Sequence, residues 1–348
     1  MSNSQRQIYP RVGFAWSGAS SRSIFYIGFL EVLKENNFPI DYIASMSGSS
    51  IVAASYASGT MEQLKQAALK FNSEFVFSLI RRSKNKGGIY NMEKVEQYLR
   101  VYTQNKSFED VKPRLGIIAT DLQEGTAVNL EVGDLAKAIC TSCALPGIFE
   151  PVSWGDKSLL DGGIVSVVPG DIARSSGVDL VIGVDMRGTR HVFSPWQIFL
   201  KKVFNTIKAI LWPNALASFW QQGLKHLNGR NIFDEYSNLD YDLDYRTDRP
   251  GIFAVLGRAL DIAITAQQNS QQDSDFDCDL LIVPDNPKIS FLKKYLFFHF
   301  TDFSKTQFYY KHGRQTAQKY LPQMWQLLAE KQKELSIRDT KLKQLLVD

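Results

Sequence analysis

The sequence predicts an α/β fold in three layers, with a mostly parallel central sheet and helices on both faces. Two observations predict it. Short apolar runs, each bounded by polar residues or by Gly and Pro, recur at 12–16, 42–46, 115–120, 180–185 and 280–283. That is the pattern of strands buried on both sides. Segments of helical periodicity lie between them. Such alternation builds a layered sheet whose chemistry sits at the carboxyl ends of its strands.

Taken in order, the run Val12-Gly13-Phe14-Ala15-Trp16 leads into a small-residue loop, Ser17-Gly18-Ala19-Ser20-Ser21-Arg22-Ser23. Residues 25–35 follow with Ile27, Leu30, Val32 and Leu33 on one broad face, which predicts a helix. The strand over 42–46 runs straight into Ser45-Met46-Ser47-Gly48-Ser49, then into a helix over 51–58 for which Gly59 is a natural stop. Further helices are expected over 61–71 and 92–101. Composition shifts at 191–249. Trp196, Phe199, Leu200, Val203, Ile207, Ile210 and Leu211 take helical spacing there, with Lys201, Lys202 and Lys208 at other positions. Such a helix can lie in a membrane interface, form a lid or pack on the core. Helical patterns return over 252–268 and 302–328, and a charged tail closes the sequence. The expected organisation is one domain over 10–320 that includes the aromatic-rich insert at 191–249, followed by a charged helix or tail over 321–348.

Composition narrows the function. With 348 residues, 44% hydrophobic and 22% charged, the chain suits one large globular domain or a domain with an appendage. A net charge of +4 is too small to argue for nucleic acid. Cys140 and Cys143 read C-x-x-C, but no second pair completes a zinc site, so they read as small buried thiols on a helix. With Cys278 the count is odd, which fits a reducing compartment better than a disulfide framework. The first eleven residues lack the apolar core of a signal peptide, and no apolar run reaches about 18 residues. The expectation is a cytoplasmic protein without a transmembrane helix, with peripheral membrane contact open to it through the insert.

Three features carry chemistry. A serine hydroxyl is a poor nucleophile unless a neighbouring base takes its proton, and it must project clear of its own backbone. A sharp strand-to-helix turn achieves this, with the nucleophile in a strained conformation at the head of the helix. Ser45-Met46-Ser47-Gly48-Ser49 stands where such a turn belongs. The loop around Gly18 can point backbone N–H groups at a developing negative charge. Asp161-Gly162-Gly163 sets a carboxylate on a rigid turn. Each residue also has a plainer reading. Ser47 could cap the following helix, Asp161 could serve only its turn, and Arg22 could be a surface cation. None of His191, His226, His299 and His312 sits in a turn-rich context suited to a triad. Arg81-Arg82-Ser83-Lys84-Asn85-Lys86 reads as a solvated loop that could also meet lipid headgroups.

In combination these segments resemble the patatin-like phospholipase family. Gly18-Ala19-Ser20-Ser21-Arg22-Ser23 aligns with the family's G-G-G-x-R-G, and Ser45-Met46-Ser47-Gly48-Ser49 with its G-x-S-x-G. Ala119-Thr120-Asp121-Leu122, the run from Thr141 to Phe149, and Asp161-Gly162-Gly163 resemble further family segments in the same order. The resemblance implies a patatin-like sandwich, Ser47 as nucleophile and Asp161 as its base in a dyad without histidine. It implies an oxyanion hole at Gly18, Ala19 and Ser20, held by Arg22, with Ser45, Met46, Gly48 and Ser49 forming the elbow. The implied activity is cleavage of acyl esters of phospholipids or related lipids, with no metal or organic cofactor. Ala19, Ser20, Ser23, Ser45 and Ser49 stand where the family has glycine, and Val167 where it usually has Asn. A catalytically silent member of the fold that binds lipid or a partner is therefore the alternative, and a hydrolase of soluble esters a third.

Overall fold

The computed structural model describes residues 9–186 apart from 72, 85 and 86, then 276–285 and 305–345, and a few residues between 251 and 263. The chain divides into two compact units, and the second, residues 189–242, lies outside the described residues. So do the aromatic insert at 191–249, His191, His226, His299 and most of the helix expected over 252–268.

Five apolar runs form parallel strands: β1 (Val12–Trp16), β2 (Tyr42–Met46), β5 (Arg114–Asp121), β10 (Leu180–Val184) and β11 (Leu280–Ile282). Antiparallel β9 (Lys157–Asp161) and β8 (Val152–Trp154) extend the sheet, so that hydrogen-bonded neighbours follow the path β11-β10-β1-β2-β5-β9-β8. Antiparallel β6 (Ala127–Leu130) also pairs with β5. A second, small sheet joins β3 (Arg81–Arg82), β4 (Gly88–Asn91) and β7 (Gly147–Phe149). The chain winds from β1 towards β5 on one side and returns to β10 on the other. The loop after β1 therefore opens at a switch point, where α/β sheets offer a crevice.

Side chains alternate across the strands and fill two cores. Phe14, Trp16, Ile43, Ile117 and Ile182 meet one set of helices: α1 (Ile24–Glu35), α2 (Gly48–Ser58), α5 (Glu93–Thr103), α6 (Leu135–Ser142) and α8 (Thr306–Leu345). Ala15, Ala44, Met46 and Ile118 face the other way, onto α7 (Gly170–Ser175). Helices α3 (Met61–Ala68) and α4 (Ser73–Leu79) complete the described set. The mixed α/β architecture, with its mostly parallel sheet, is the predicted one.

Boundaries differ in instructive ways. Helix α2 begins at Gly48, not residue 51, because the turn before it is a single residue. The expected helix over 302–328 and the tail beyond it are one helix that runs on through Pro322. It crosses α1 closely: a Cβ at Gly28 would run into the carbonyl of Tyr310, and one at Gly313 into that of Phe25. Arg314 reinforces the crossing, donating to Glu31 and to Glu35 at 2.8 Å each. The antiparallel strands were not foreseen. They are short and carry polar residues, as in Lys157-Ser158-Leu159-Leu160-Asp161.

Candidate active site

The site is assembled on one edge of β5. Strand β2 pairs with β5 up to Met46 opposite Ile118, whereas β9 ends with Asp161 opposite Ala119. Strand β6 pairs with both stretches of β5, at Ile118 and at Ala119. It must occupy the opposite edge, so β2 and β9 share the remaining one and meet head to head. The residue after Met46 and the last residue of β9 are thereby brought together at adjacent positions of a third strand. Thr120 Oγ1 donates to the Asp161 carbonyl at 2.8 Å and fixes that end.

Ser47 occupies the whole turn between β2 and α2. Its backbone sits at φ 52° and ψ −137°, and its side chain makes no capping hydrogen bond, which removes the capping reading. Such a conformation costs about 1–3 kcal/mol and persists only where the surroundings enforce it. Here hydroxyls enforce it. Ser142 Oγ accepts the Ser47 N–H at 2.7 Å, Ser50 Oγ donates to the Ser47 carbonyl at 2.6 Å, and Ser49 Oγ donates to the Met46 carbonyl at 2.7 Å. Ser45 lies in the buried strand with its hydroxyl unpaired among the described residues. Neither Ser45 nor Ser49 has a positive φ. Ser47 stands at the N-terminus of α2, the positive end of the helix dipole.

Asp161 is 3% exposed. Its Oδ1 accepts the Gly163 N–H at 2.8 Å, the turn role expected of an aspartate before Gly-Gly. Its Oδ2 is buried and takes no hydrogen bond from the described residues. Burial lifts the Asp161 pKa from the ordinary 3.8 to about 6, while the Gly163 N–H and the nearby Ser47 hydroxyl pull it back. Ser47 thus stands close enough to stabilise the carboxylate without meeting the geometry of a formed hydrogen bond. Gly162 must be glycine, since a Cβ there would strike the Ile118 carbonyl.

The loop after β1 closes over the turn. A Cβ at Gly18 would lie 3.4 Å from that of Ser47, and one at Gly48 would lie 2.8 Å from the Ser20 carbonyl oxygen. Ser20 adopts φ 49°, so a serine takes the conformation for which glycine is the usual choice. Ser23 Oγ donates to the Ser20 carbonyl at 2.7 Å. Among the described residues nothing accepts the N–H of Gly18 or Ala19. Arg22 is no free surface cation: Nη1 donates to the Met186 carbonyl at 2.8 Å. The Met186 N–H in turn donates to Ser17 Oγ at 2.8 Å, and Tyr26 OH donates to the Ser17 carbonyl at 2.9 Å. The loop is fastened to the end of β10 at both flanks.

The structure gathers Ser47, Asp161, the loop from Gly18 to Arg22 and the elbow residues in one place. Two neighbours were missed. Ser142 and Cys143 end α6 against the turn, and the Cys143 thiol lies beside Ser47, Ser50 and Asp161, with its pKa raised by burial and by the Asp161 charge. Cys140 is buried as expected, but Cys143 is half-buried at the site. The available signal was their place in the stretch from Thr141 to Phe149, which resembled the family. His312, the histidine among the described residues, stacks on Phe308 in α8 and plays no part here. Among the described residues no cluster of His, Cys, Asp and Glu could hold a metal ion, and no helix is long and apolar enough to cross a membrane.

Fold and site together set a serine on a strained strand-to-helix turn close to a buried carboxylate, on a mixed α/β sheet. Residues 14–174 match the family model described as patatin-like phospholipase. An uncharacterised NTE-family protein of Mycobacterium tuberculosis is 28% identical over 52% of this chain and 50% of its own length. The uncharacterised protein YqhO of Bacillus subtilis is 24% identical over 60% of this chain and 84% of its own. Lysophospholipase NTE1 of Scheffersomyces stipitis is 26% identical over 66% of this chain and 15% of its own. The chain spans about half the length of the mycobacterial relatives it matches.

Proposed function

We propose that the protein is a serine acyl hydrolase that cleaves acyl esters of phospholipids or related lipids through a Ser47–Asp161 dyad. The observation that carries this reading is the head-to-head meeting of β2 and β9. It sets a serine on a strained turn beside a buried carboxylate oxygen that has no other partner among the described residues. Ser47 Oγ attacks the ester carbonyl carbon and its proton passes to Asp161. The N–H groups of Gly18 and Ala19, with the α2 N-terminus, receive the charge on the tetrahedral oxygen. Collapse expels the alcohol with the proton from Asp161. Water then attacks the acyl-serine, gives its proton to Asp161, and the fatty acid leaves as Ser47 is reprotonated. A base with a pKa near 6 remains ionised at neutral pH, yet is stronger than an exposed aspartate.

The match to a phospholipase family, and the relative named a lysophospholipase, support a lipid ester as substrate. The test is labelling by a fluorophosphonate probe. The wild type is expected to label and Ser47→Ala to lose labelling entirely; equal labelling of the two removes Ser47 from the mechanism. Liposome co-sedimentation alongside turnover of a short-chain aryl ester separates a membrane-borne substrate from a soluble one.

A further inference from the structure

Three consecutive residues where α6 ends touch both halves of the site. Ser142 Oγ accepts the Ser47 N–H at 2.7 Å and donates to the Ile118 carbonyl at 2.6 Å. Cys143 lies against the Ser47 hydroxyl. The Ala144 carbonyl accepts the Asp161 N–H at 3.0 Å. A serine inside a helix usually turns its hydroxyl back to a carbonyl one turn earlier. Thr141 does that, donating to the Lys137 carbonyl at 2.8 Å. Ser142, fully buried, instead directs its hydrogen bonds across to the turn after β2 and to Ile118 within β5.

The geometry points to Ser142 as a positioning residue for acyl transfer at Ser47. The inference rests on the proposed role of Ser47. The Met46–Ser47 peptide has two polar groups, and each is held by a side-chain hydroxyl: the carbonyl by Ser49 and the N–H by Ser142. With the next peptide held through the Ser47 carbonyl by Ser50, fixing this plane sets the φ of Ser47 and hence the direction of its Cα–Cβ bond. Ile118, which anchors Ser142 from below, is the β5 partner of Met46 and adjoins Ala119, the partner of Asp161. The chain Ile118–Ser142–Ser47 therefore refers the nucleophile to the strand that also carries the base.

Ser142→Ala leaves the Ser47 N–H without its acceptor and frees the plane to rotate. Turnover and the rate of fluorophosphonate labelling are expected to fall about 10–100-fold, with KM changed less than about 2-fold, because the fully buried Ser142 acts through Ser47. Ser142→Thr keeps a hydroxyl and is expected to recover most of the labelling rate. Thr141→Ala, one residue away and turned from the site, is expected to label as the wild type does. Wild-type labelling of Ser142→Ala overturns the assignment. So does equal loss in Ser142→Ala and Ser142→Thr with parallel falls in thermal midpoint, since that is a packing role. If the wild type itself does not label at Ser47, the catalytic reading falls and this inference with it; if it labels and Ser142→Ala is unaffected, only this inference falls.

Discussion

Replacing Asp161 by Asn is expected to stabilise the protein at neutral pH while abolishing its acyl transfer. The folded state holds the Asp161 carboxyl at a pKa of about 6 against an ordinary value of 3.8, and burial is the largest cause. Below pH 3.8 the group is protonated whether the chain is folded or not. Between the two values the unfolded chain has released the proton and the folded one retains it, so stability falls as pH rises. Above pH 6 the loss is complete. About two pKa units at 1.36 kcal/mol each make it roughly 3 kcal/mol. Asn keeps an oxygen for the Gly163 N–H and has no charge to bury. Urea denaturation of both proteins, at intervals from pH 4 to pH 7.5, isolates the effect, because every other titrating group is common to the pair. The stability of Asp161→Asn relative to wild type should climb by roughly 2.5 kcal/mol across that range, the rest of the effect lying below pH 4. A constant difference would refute the reasoning, since it would mean that the carboxyl feels no buried environment.

The same ionisation has a kinetic face: kcat/KM for an uncharged ester should rise about tenfold per pH unit up to about pH 6 and level off above it, as a base that must be deprotonated requires. Gly48→Ala places a methyl 2.8 Å from the Ser20 carbonyl oxygen and should cost about 10²-fold in turnover by displacing the loop. Gly59→Ala, at φ 82° with open space around it, should lower the thermal midpoint by an amount equivalent to about 1 kcal/mol and leave turnover alone. Ser49→Gly, which restores the family residue, should destabilise by about 1–2 kcal/mol in chemical denaturation, because the hydroxyl bonds both the carbonyl and the N–H of Met46. Stabilisation would mean that crowding at that position outweighs those bonds.

How far the sequence could be read depended on whether the relevant physics was local. Parallel strands such as Val12–Trp16 and Tyr42–Met46 are buried on both faces, so their apolar runs are visible without knowing their neighbours, and both were placed to the residue. Gly59 as the stop of α2 was equally visible, since a left-handed residue favours glycine in any context. Strand β6 and the hairpin of β8 and β9 were not. Their existence depends on pairing with β5, and only pairing puts Asp161 beside Met46. The motifs named the participants, but the shared edge of β5 that brings them together is a property of register. Ser142 shows the same limit: in sequence it is one more small residue on a helix, and its target lies |i−j| = 95 positions away.

The serines that replace family glycines bear on how a strained turn is held. Glycine reaches unusual conformations at little steric cost but adds nothing that fixes them. Here the strain is not spread over the altered positions. Ser47 and Ser20 have positive φ, whereas Ser23, Ser45 and Ser49 do not. The hydroxyls of Ser49 and Ser23 tie down the carbonyls of Met46 and Ser20, one on the elbow and one on the loop that faces it. Gly48 and Gly162 remain glycine where another backbone approaches too closely to admit a Cβ. Substitution has therefore fallen where a side chain can be seated and has spared positions where it would intrude. Departure from the family pattern is in this chain an exchange of conformational freedom for hydrogen bonds, and it leaves Ser47 close to the Asp161 carboxylate.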